Sequence, residues 1–238
     1  MFQGVYSAAT ALDTAAHSHE VISRNLAHVN VPGFRRRQIA VEQFAPQQAE
    51  SDQVGNNIYT QMVNFTPGHA ESTGRNLDLA INGDGFFTVE GPDGPLYTRN
   101  GVFHLNADSQ LVTTDGRPVL GNGGPVVFPP GTTPLDISIS NTGSISVQGT
   151  PFAQLNTVTF ADNQQLEPVG TTLFRAPDSL EITDDQVLIQ TGARESSNVS
   201  AVNELVNLIV ASRYFESAQR ALTMISDTIH YNTNPEAD

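Results

Sequence analysis

The stretch Leu77-Asp-Leu-Ala-Ile-Asn-Gly-Asp-Gly-Phe-Phe87 decides the fold of the middle of this chain. Leu77, Leu79 and Ile81 recur at every second position, the period of a strand with one face in a core. Asn82-Gly83 and Asp84-Gly85 then supply residues that tolerate the positive φ of a tight turn. The same grammar continues outward. Leu135, Ile137 and Ile139 alternate, as do Val158 and Phe160, with further turn signals at Asp93-Gly94, Asn100-Gly101, Asp115-Gly116 and Asn141-Thr142-Gly143. Many short strands between closely spaced turns predict a mainly antiparallel all-β domain over residues 74–190.

Beyond this domain the period changes at both ends. Val5, Ala8, Leu12, Ala15, His19, Ile22, Leu26 and Val29 step by three and four, a coiled-coil seam of about four heptads. His19 is its one polar member, placed where a polar side chain can set register. Asn30-Val31-Pro32-Gly33 ends the pattern, because Pro cannot continue a helix and Gly accepts the turned backbone. Near the C-terminus Leu208, Ala211, Phe215, Ala218, Leu222, Ile225 and Ile229 repeat the spacing, with Ser196 or Asn198 as the expected cap and Glu204 and Glu216 off the seam. The predicted class is therefore α+β: N- and C-terminal coiled-coil-type helices packing together, flanking the β domain. Residues 1–32 and 196–232 form the discontinuous helical domain. Residues 33–73, rich in Gln, Asn and Ser from Ala45 onward, are expected to be an extended connector with one strand from Ile58 to Phe65.

Composition narrows the function. The chain has 238 residues, 38% hydrophobic and 15% charged, with a net charge of -14. All 11 basic residues are Arg, and Lys is absent. So acidic a surface repels nucleic acid and anionic lipid, which excludes both as primary partners. Arg24, Arg35, Arg36 and Arg37 are the one basic cluster, and the expectation for them is a solvated helix end. Without Cys there is no disulfide framework or thiolate chemistry. No apolar run approaches the roughly 20 residues of a membrane helix. The first residues lack the basic and apolar regions of a cleaved signal peptide, so a protein leaving the cytoplasm would need another route.

Chemistry is hard to find. None of the six His residues forms the i,i+4 pair of a helical zinc site, and His17 and His19 point to different helix faces. Asp78 to Gly85 lacks the spaced ligands and terminal Glu of a calcium loop. Asp178, Glu181, Asp184 and Asp185 suggest solvated loop carboxylates. There is no nucleophile elbow, and Gly121-Asn-Gly-Gly is followed by Pro125, which has no N–H to offer a phosphate. Asn198-Val-Ser200 matches a glycosylation sequon. No catalytic residue, cofactor or metal is expected, and the reading is a structural protein. The rivals from another class are a β-rich secreted hydrolase, a carbohydrate-binding protein or an adhesin. An enzyme would need a cleft with converging ionisable groups.

Three sets of motifs carry a family resemblance. Asn25-Leu-Ala-His-Val-Asn30-Val-Pro-Gly33-Phe34-Arg35 resembles the N-terminal signature of the flagellar rod and hook family. Ser197-Asn198-Val199 with Val202, Glu204 and Arg213-Tyr-Phe-Glu216 resembles its C-terminal signature. Leu77 to Phe87, Tyr97-Thr-Arg-Asn-Gly101 and Asn106-Ala-Asp108 with Gln110-Leu111 resemble its middle. The match runs nearly end to end and in order. It implies an axial component of the bacterial flagellum basal body, exported through the flagellar type III apparatus without a cleaved signal. It also implies terminal helices that form an inner tube with an outward β domain, and other rod and hook subunits and itself as partners. The chain is too short for a typical hook protein. Thr66-Pro-Gly68, Pro118-Val-Leu-Gly121 and Ser197 to Val202 incline the resemblance to the proximal rod over the distal rod.

Overall fold

In the computed structural model, residues 2–43, 57–180, 182–183 and 187–233 are described. They divide between two units: Met1–Ala27, Arg37–Asn64 and Ser200–Asp238 in the first, His28–Arg36 and Phe65–Val199 in the second.

The first unit is built on helices α1 (Phe2–Ala27) and α2 (Ala201–Thr233). The two pack side by side, and a Cβ on Gly4 would come 3.6 Å from Ile225 Cδ1. The start of α1 thus lies beside the end of α2, and the pair runs antiparallel. Ala8, Ala15, Ala211 and Ala218 are buried, while Val5, Leu12, Ile22, Leu26, Leu208, Phe215, Leu222, Ile225 and Ile229 are half-buried. Small side chains at the contact let two helix backbones approach. Two seam positions depart from expectation. His19 is exposed beside Ser23, and Ser18 is half-buried instead, because the helical period of 3.6 carries position 19 away from the contact line. Val29 lies beyond the helix, which ends at Ala27 in a turn where the Val31 amide donates to His28 O at 3.0 Å.

The cap of α2 is Ser200, not Ser196 or Asn198. Ser200 O accepts the Glu204 amide at 2.9 Å and Ser200 Oγ that of Asn203 at 3.5 Å. Glu204, expected off the seam, is buried in the first turn of the helix, where a carboxylate is favoured.

Residues 33–73 are more ordered than a connector. Strand β1 (Arg37–Gln43) pairs antiparallel with β2 (Asn57–Val63), from Arg37 opposite Val63 to Gln43 opposite Asn57. The expected strand at Ile58 thus ends before Phe65, and its partner begins at Arg37, the last residue of the basic run Arg35-Arg36-Arg37. Most of the Gln-rich stretch from Ala45, and Glu181, Asp184 and Asp185, lie outside the described residues. Asn25, 1% exposed on α1, orients β1: its amide donates to Arg37 O and its oxygen accepts the Arg37 amide, each at 2.9 Å.

The second unit is all β. Strands β3 (Ala70–Ser72), β4 (Leu79–Asn82), β5 (Phe86–Gly91) and β6 (Gly94–Thr98) open it. β5 and β6 lie at the middle of a six-stranded antiparallel sheet with Glu167–Val169, Leu173–Arg175, Thr157–Phe160 and Ile182–Thr183. Alternation splits its side chains. Phe87, Val89 and Leu96 enter an aliphatic core with Leu79, Phe103, Leu111 and Ile137. Phe86, Tyr97, Phe160 and Phe174 belong to a second, aromatic cluster with Phe65. The Phe86-Phe87 pair is thus two adjacent residues serving opposite faces. Ile137 and Ile139 are buried as the alternation predicts, but Leu135 is 87% exposed. It precedes the strand, in a loop held by Thr133 donating to Asp136 Oδ2 and by Asn76 donating to Pro134 O.

Candidate functional site

The motif residues meet around one carboxylate inside the second unit. Glu195 ends the strand Ala193–Glu195, which pairs with β3, and is 2% exposed. Its Oε1 accepts Arg35 Nη2 at 2.6 Å and the Gly68 amide at 2.8 Å, and its Oε2 faces Arg99 Nη1 at 3.5 Å. Arg35 is 1% exposed and Arg99 2% exposed. Arg35 Nη1 also donates to Thr66 O at 3.2 Å. Arg99 lies with its Cζ 5.2 Å from the centroid of the Phe86 ring, whose electron-rich face favours a cation.

The backbone at this point is close-packed. Gly33 has φ of +70°, and a Cβ there would fall 2.4 Å from the Asn100 amide nitrogen. A Cβ on Gly68 would fall 1.9 Å from Ser196 O. The Gly33 amide donates to Glu195 O at 2.9 Å, and Asn198 N to Phe34 O at 3.4 Å. Asn198 works as a lashing: its Oδ1 accepts the Arg36 amide at 2.7 Å while its Nδ2 donates to Thr66 O at 2.9 Å. The side-chain nitrogen that a sugar would have to join is therefore engaged. Phe34 is fully buried and stacks on His28, with centroids 5.0 Å apart.

Two guanidinium groups share one carboxylate, so the three side chains carry a net positive charge away from water. Burial, then repulsion from Arg35, lowers the Arg99 pKa to about 10, against the attraction of Glu195 and Asp84. Arg99 thus remains charged at neutral pH. The arrangement offers strong, directional, charge-assisted bonds between distant segments. All three side chains are closed off from solvent.

Arg35 is thereby corrected from a solvated helix end to a buried ion-pair partner. Burial of a cation is stable only when a carboxylate meets it, and that carboxylate lies 160 residues away. Arg24 does lie at the surface, paired with Glu20 at 3.0 Å. Of the expected motif residues, Gly33, Phe34 and Asn198 are at the knot; Asn25 orients β1, Glu204 is buried in α2, and Asn30 and Arg213 are exposed. Glu195 and the role of Arg99 were not foreseen. Their only local signal is a charge in a polar run, and for Glu195 the neighbouring Arg194 masks even that.

Elsewhere, a cleft of about 280 Å³ lies between Pro95, Tyr97, Arg175, Pro177 and Leu180, and its Arg175 pairs with Asp93 at 3.3 Å. Among the described residues no group of three or more His, Asp or Glu is placed to hold a metal ion, and no helix is long and apolar enough to cross a membrane.

Comparison with known proteins gives this geometry a family. The family model described as flagellar hook protein FlgE/F/G D1 domain matches residues 80–147. That described as flagellar basal body rod FlgEFG protein C-terminal matches residues 190–230. A protein named flagellar basal-body rod protein FlgG, from Agrobacterium fabrum, is 34% identical over 247 residues, spanning 91% of this chain and 92% of its own. The chain belongs to the flagellar basal-body rod protein family.

Rod proteins named FlgF are similar as well: that of Caulobacter vibrioides is 33% identical over 214 residues, 85% of each chain. That of Salmonella typhimurium is 29% identical over 245 residues, 95% of each. In this rod protein Arg99 lies within the first matched stretch, Glu195 and Asn198 within the second, and Arg35 in neither.

Proposed function

We propose that this chain is a structural subunit of the flagellar basal-body rod, supporting motility by assembling through its terminal helices with other rod and hook subunits and with itself. The observation that carries this reading is α2. It packs along α1 and still exposes Val202, Leu205, Val206, Ile209, Val210 and Tyr214, at 48–70%. A helix apolar on several sides belongs among other helices rather than in water. In the assembled rod these side chains would be covered by neighbouring helices, with coiled-coil-type contacts along the seams. The helical domain would line the axial tube and the β domain would face outward. The buried knot supports the same reading, since it ties chain segments together and presents nothing to a substrate.

Export would use the flagellar apparatus without a cleaved signal, and mass spectrometry of the assembled subunit should find its N-terminal peptide intact. Position in the proximal rather than the distal rod rests on the motifs at Thr66–Gly68, Pro118–Gly121 and Ser197–Val202. One experiment tests the assignment: delete the coding sequence, score motility, and locate an epitope-tagged complementing chain in purified basal bodies. Loss of motility with the tag in the rod is expected. A motile deletion strain, or a tag absent from basal bodies, overturns the assignment.

A further inference from the structure

The knot joins segments that arrive at very different times as the chain is made. The last strands of the second unit close on its first ones: Leu188–Thr191 pairs with β4, and Ala193–Glu195 with β3. The Gly192 amide donates to Asp78 O at 2.8 Å and the Ser196 amide to His69 O at 2.8 Å. None of these bonds requires residues 28–36. That segment depends on the closure instead. Its Gly33 and Arg36 amides and its Arg35 guanidinium bond to Glu195 and Asn198, and Arg35 also reaches Thr66 O.

Charge makes the dependence stricter than a missing hydrogen bond would. Docking residues 28–36 brings Arg35 into a dry site already occupied by Arg99. With Glu195 in place each cation meets the same carboxylate, at 2.6 and 3.5 Å. Without it, two like charges would be buried together with no carboxylate bonded to either, the attraction of Asp84 for Arg99 alone opposing their repulsion, which is strongly disfavoured. We propose that Glu195 is a counter-ion latch, so that residues 28–36 dock on the β unit only after residues 193–199 have closed on it. In any N-terminus-first emergence, the segment following α1 then stays undocked until residue 195 of 238 has appeared. The inference concerns this unit's own folding order and does not rest on the rod assignment.

Hydrogen exchange on the full-length chain tests it. The reporter is the Phe34 amide, which donates to Val31 O at 3.2 Å inside the segment and so does not need Glu195 as its partner. In pulse labelling during refolding, Phe34 should become protected no earlier than Gly192 and Ser196. Protection of Phe34 first would overturn the proposal. At equilibrium, Glu195→Gln keeps size and an acceptor oxygen but removes the charge. It should speed exchange at Phe34 by about tenfold or more while Thr88 and Tyr97 in the central sheet keep their rates. Adding Arg35→Met removes the cation that needs the latch, and slow exchange at Phe34 should return. Unchanged Phe34 exchange in Glu195→Gln, or no recovery in Arg35→Met/Glu195→Gln, would show that charge does not control docking. Should the single variant fail to fold, refolding of the natural chain still decides the order.

Discussion

Gly33 and Gly74 form a matched pair for separating backbone strain from crowding. Their φ angles are +70° and +72°, so Ala at either position takes the same left-handed penalty of about 1–2 kcal/mol. Both substitutions also stiffen the unfolded chain by a common amount, about 0.4–1 kcal/mol in favour of folding. The surroundings differ. Around Gly74 a Cβ meets nothing within 4 Å, whereas at Gly33 it falls 2.4 Å from Asn100 N and 2.5 Å from Arg99 C, both backbone atoms. These cannot rotate away, so the two chain segments must separate. Overpacking of this kind costs about 1–3 kcal/mol, and loosening the Gly33–Glu195 hydrogen bond adds about 1 kcal/mol. Gly33→Ala should therefore destabilise the β unit by about 2–4 kcal/mol more than Gly74→Ala. At about 2–4 °C per kcal/mol for a chain of this size, the melting temperatures of the two variants should differ by several degrees. The chain has no Trp, so unfolding is best followed by circular dichroism. Equal melting temperatures for the two variants would refute the claim that close approach, rather than φ, fixes glycine at residue 33.

Three other outcomes are expected. Leu12→Asp or Leu222→Asp places a charge in the contact between α1 and α2 and should abolish motility; Arg117→Ala, in a turn of the β unit, should stay within about 0.5 kcal/mol of the natural chain and leave motility unchanged. Burial raises the phenol pKa of Tyr97, so an ultraviolet titration compared with Tyr97→Phe should show its proton leaving above the usual phenol range; loss at the ordinary pH would contradict its packing. Both helices should be loose in the isolated subunit. Leu or Ile burial contributes roughly 1.5–3 kcal/mol and Ala much less, against about 1–2 kcal/mol per residue of backbone ordering before hydrogen bonding is credited. Slow amide exchange across Phe2–Ala27 and Ala201–Thr233 in a dilute monomer would rule this out.

What a short window of sequence contains was legible. The three–four spacing identified both helices, and Asn82-Gly83, Asp84-Gly85, Asp93-Gly94 and Asp115-Gly116 marked turns whose glycines take positive φ, whereas Gly101 does not and is instead packed against the Leu79 carbonyl. Boundaries were less so: the turn at His28 shortens α1, and Ser200 caps α2 in preference to earlier polar residues because it alone is followed directly by helix. Leu135 fitted the alternation of Ile137 and Ile139 yet lies outside, since a period does not say where a strand begins. The knot was the least accessible feature. Arg35 stands among three basic residues that suggest solvent, and Glu195 lies in the polar run Ala-Arg-Glu-Ser-Ser. Their burial follows only from their meeting, a fact about the fold and not about either neighbourhood. The family resemblance identified Gly33, Phe34 and Asn198 without giving the reason, which is the crowding and bonding around Glu195.

The lashing between residues 33–36 and 195–198 also determines where a mechanical load would travel. Residues 28–36, which follow α1, and residues 195–199, which precede α2, both belong to the β unit. Those two segments are bonded directly to each other through Gly33–Glu195, Phe34–Asn198 and Arg36–Asn198. A pull between residues 28 and 199 therefore has a short circuit inside the β unit. Force passes through these few bonds, and the strands between residues 69 and 193 hang outside its line. The strands can vary or deform without slackening the link between residues 28 and 199, while damage at Gly33, Glu195 or Asn198 would transfer the strain to every strand behind them.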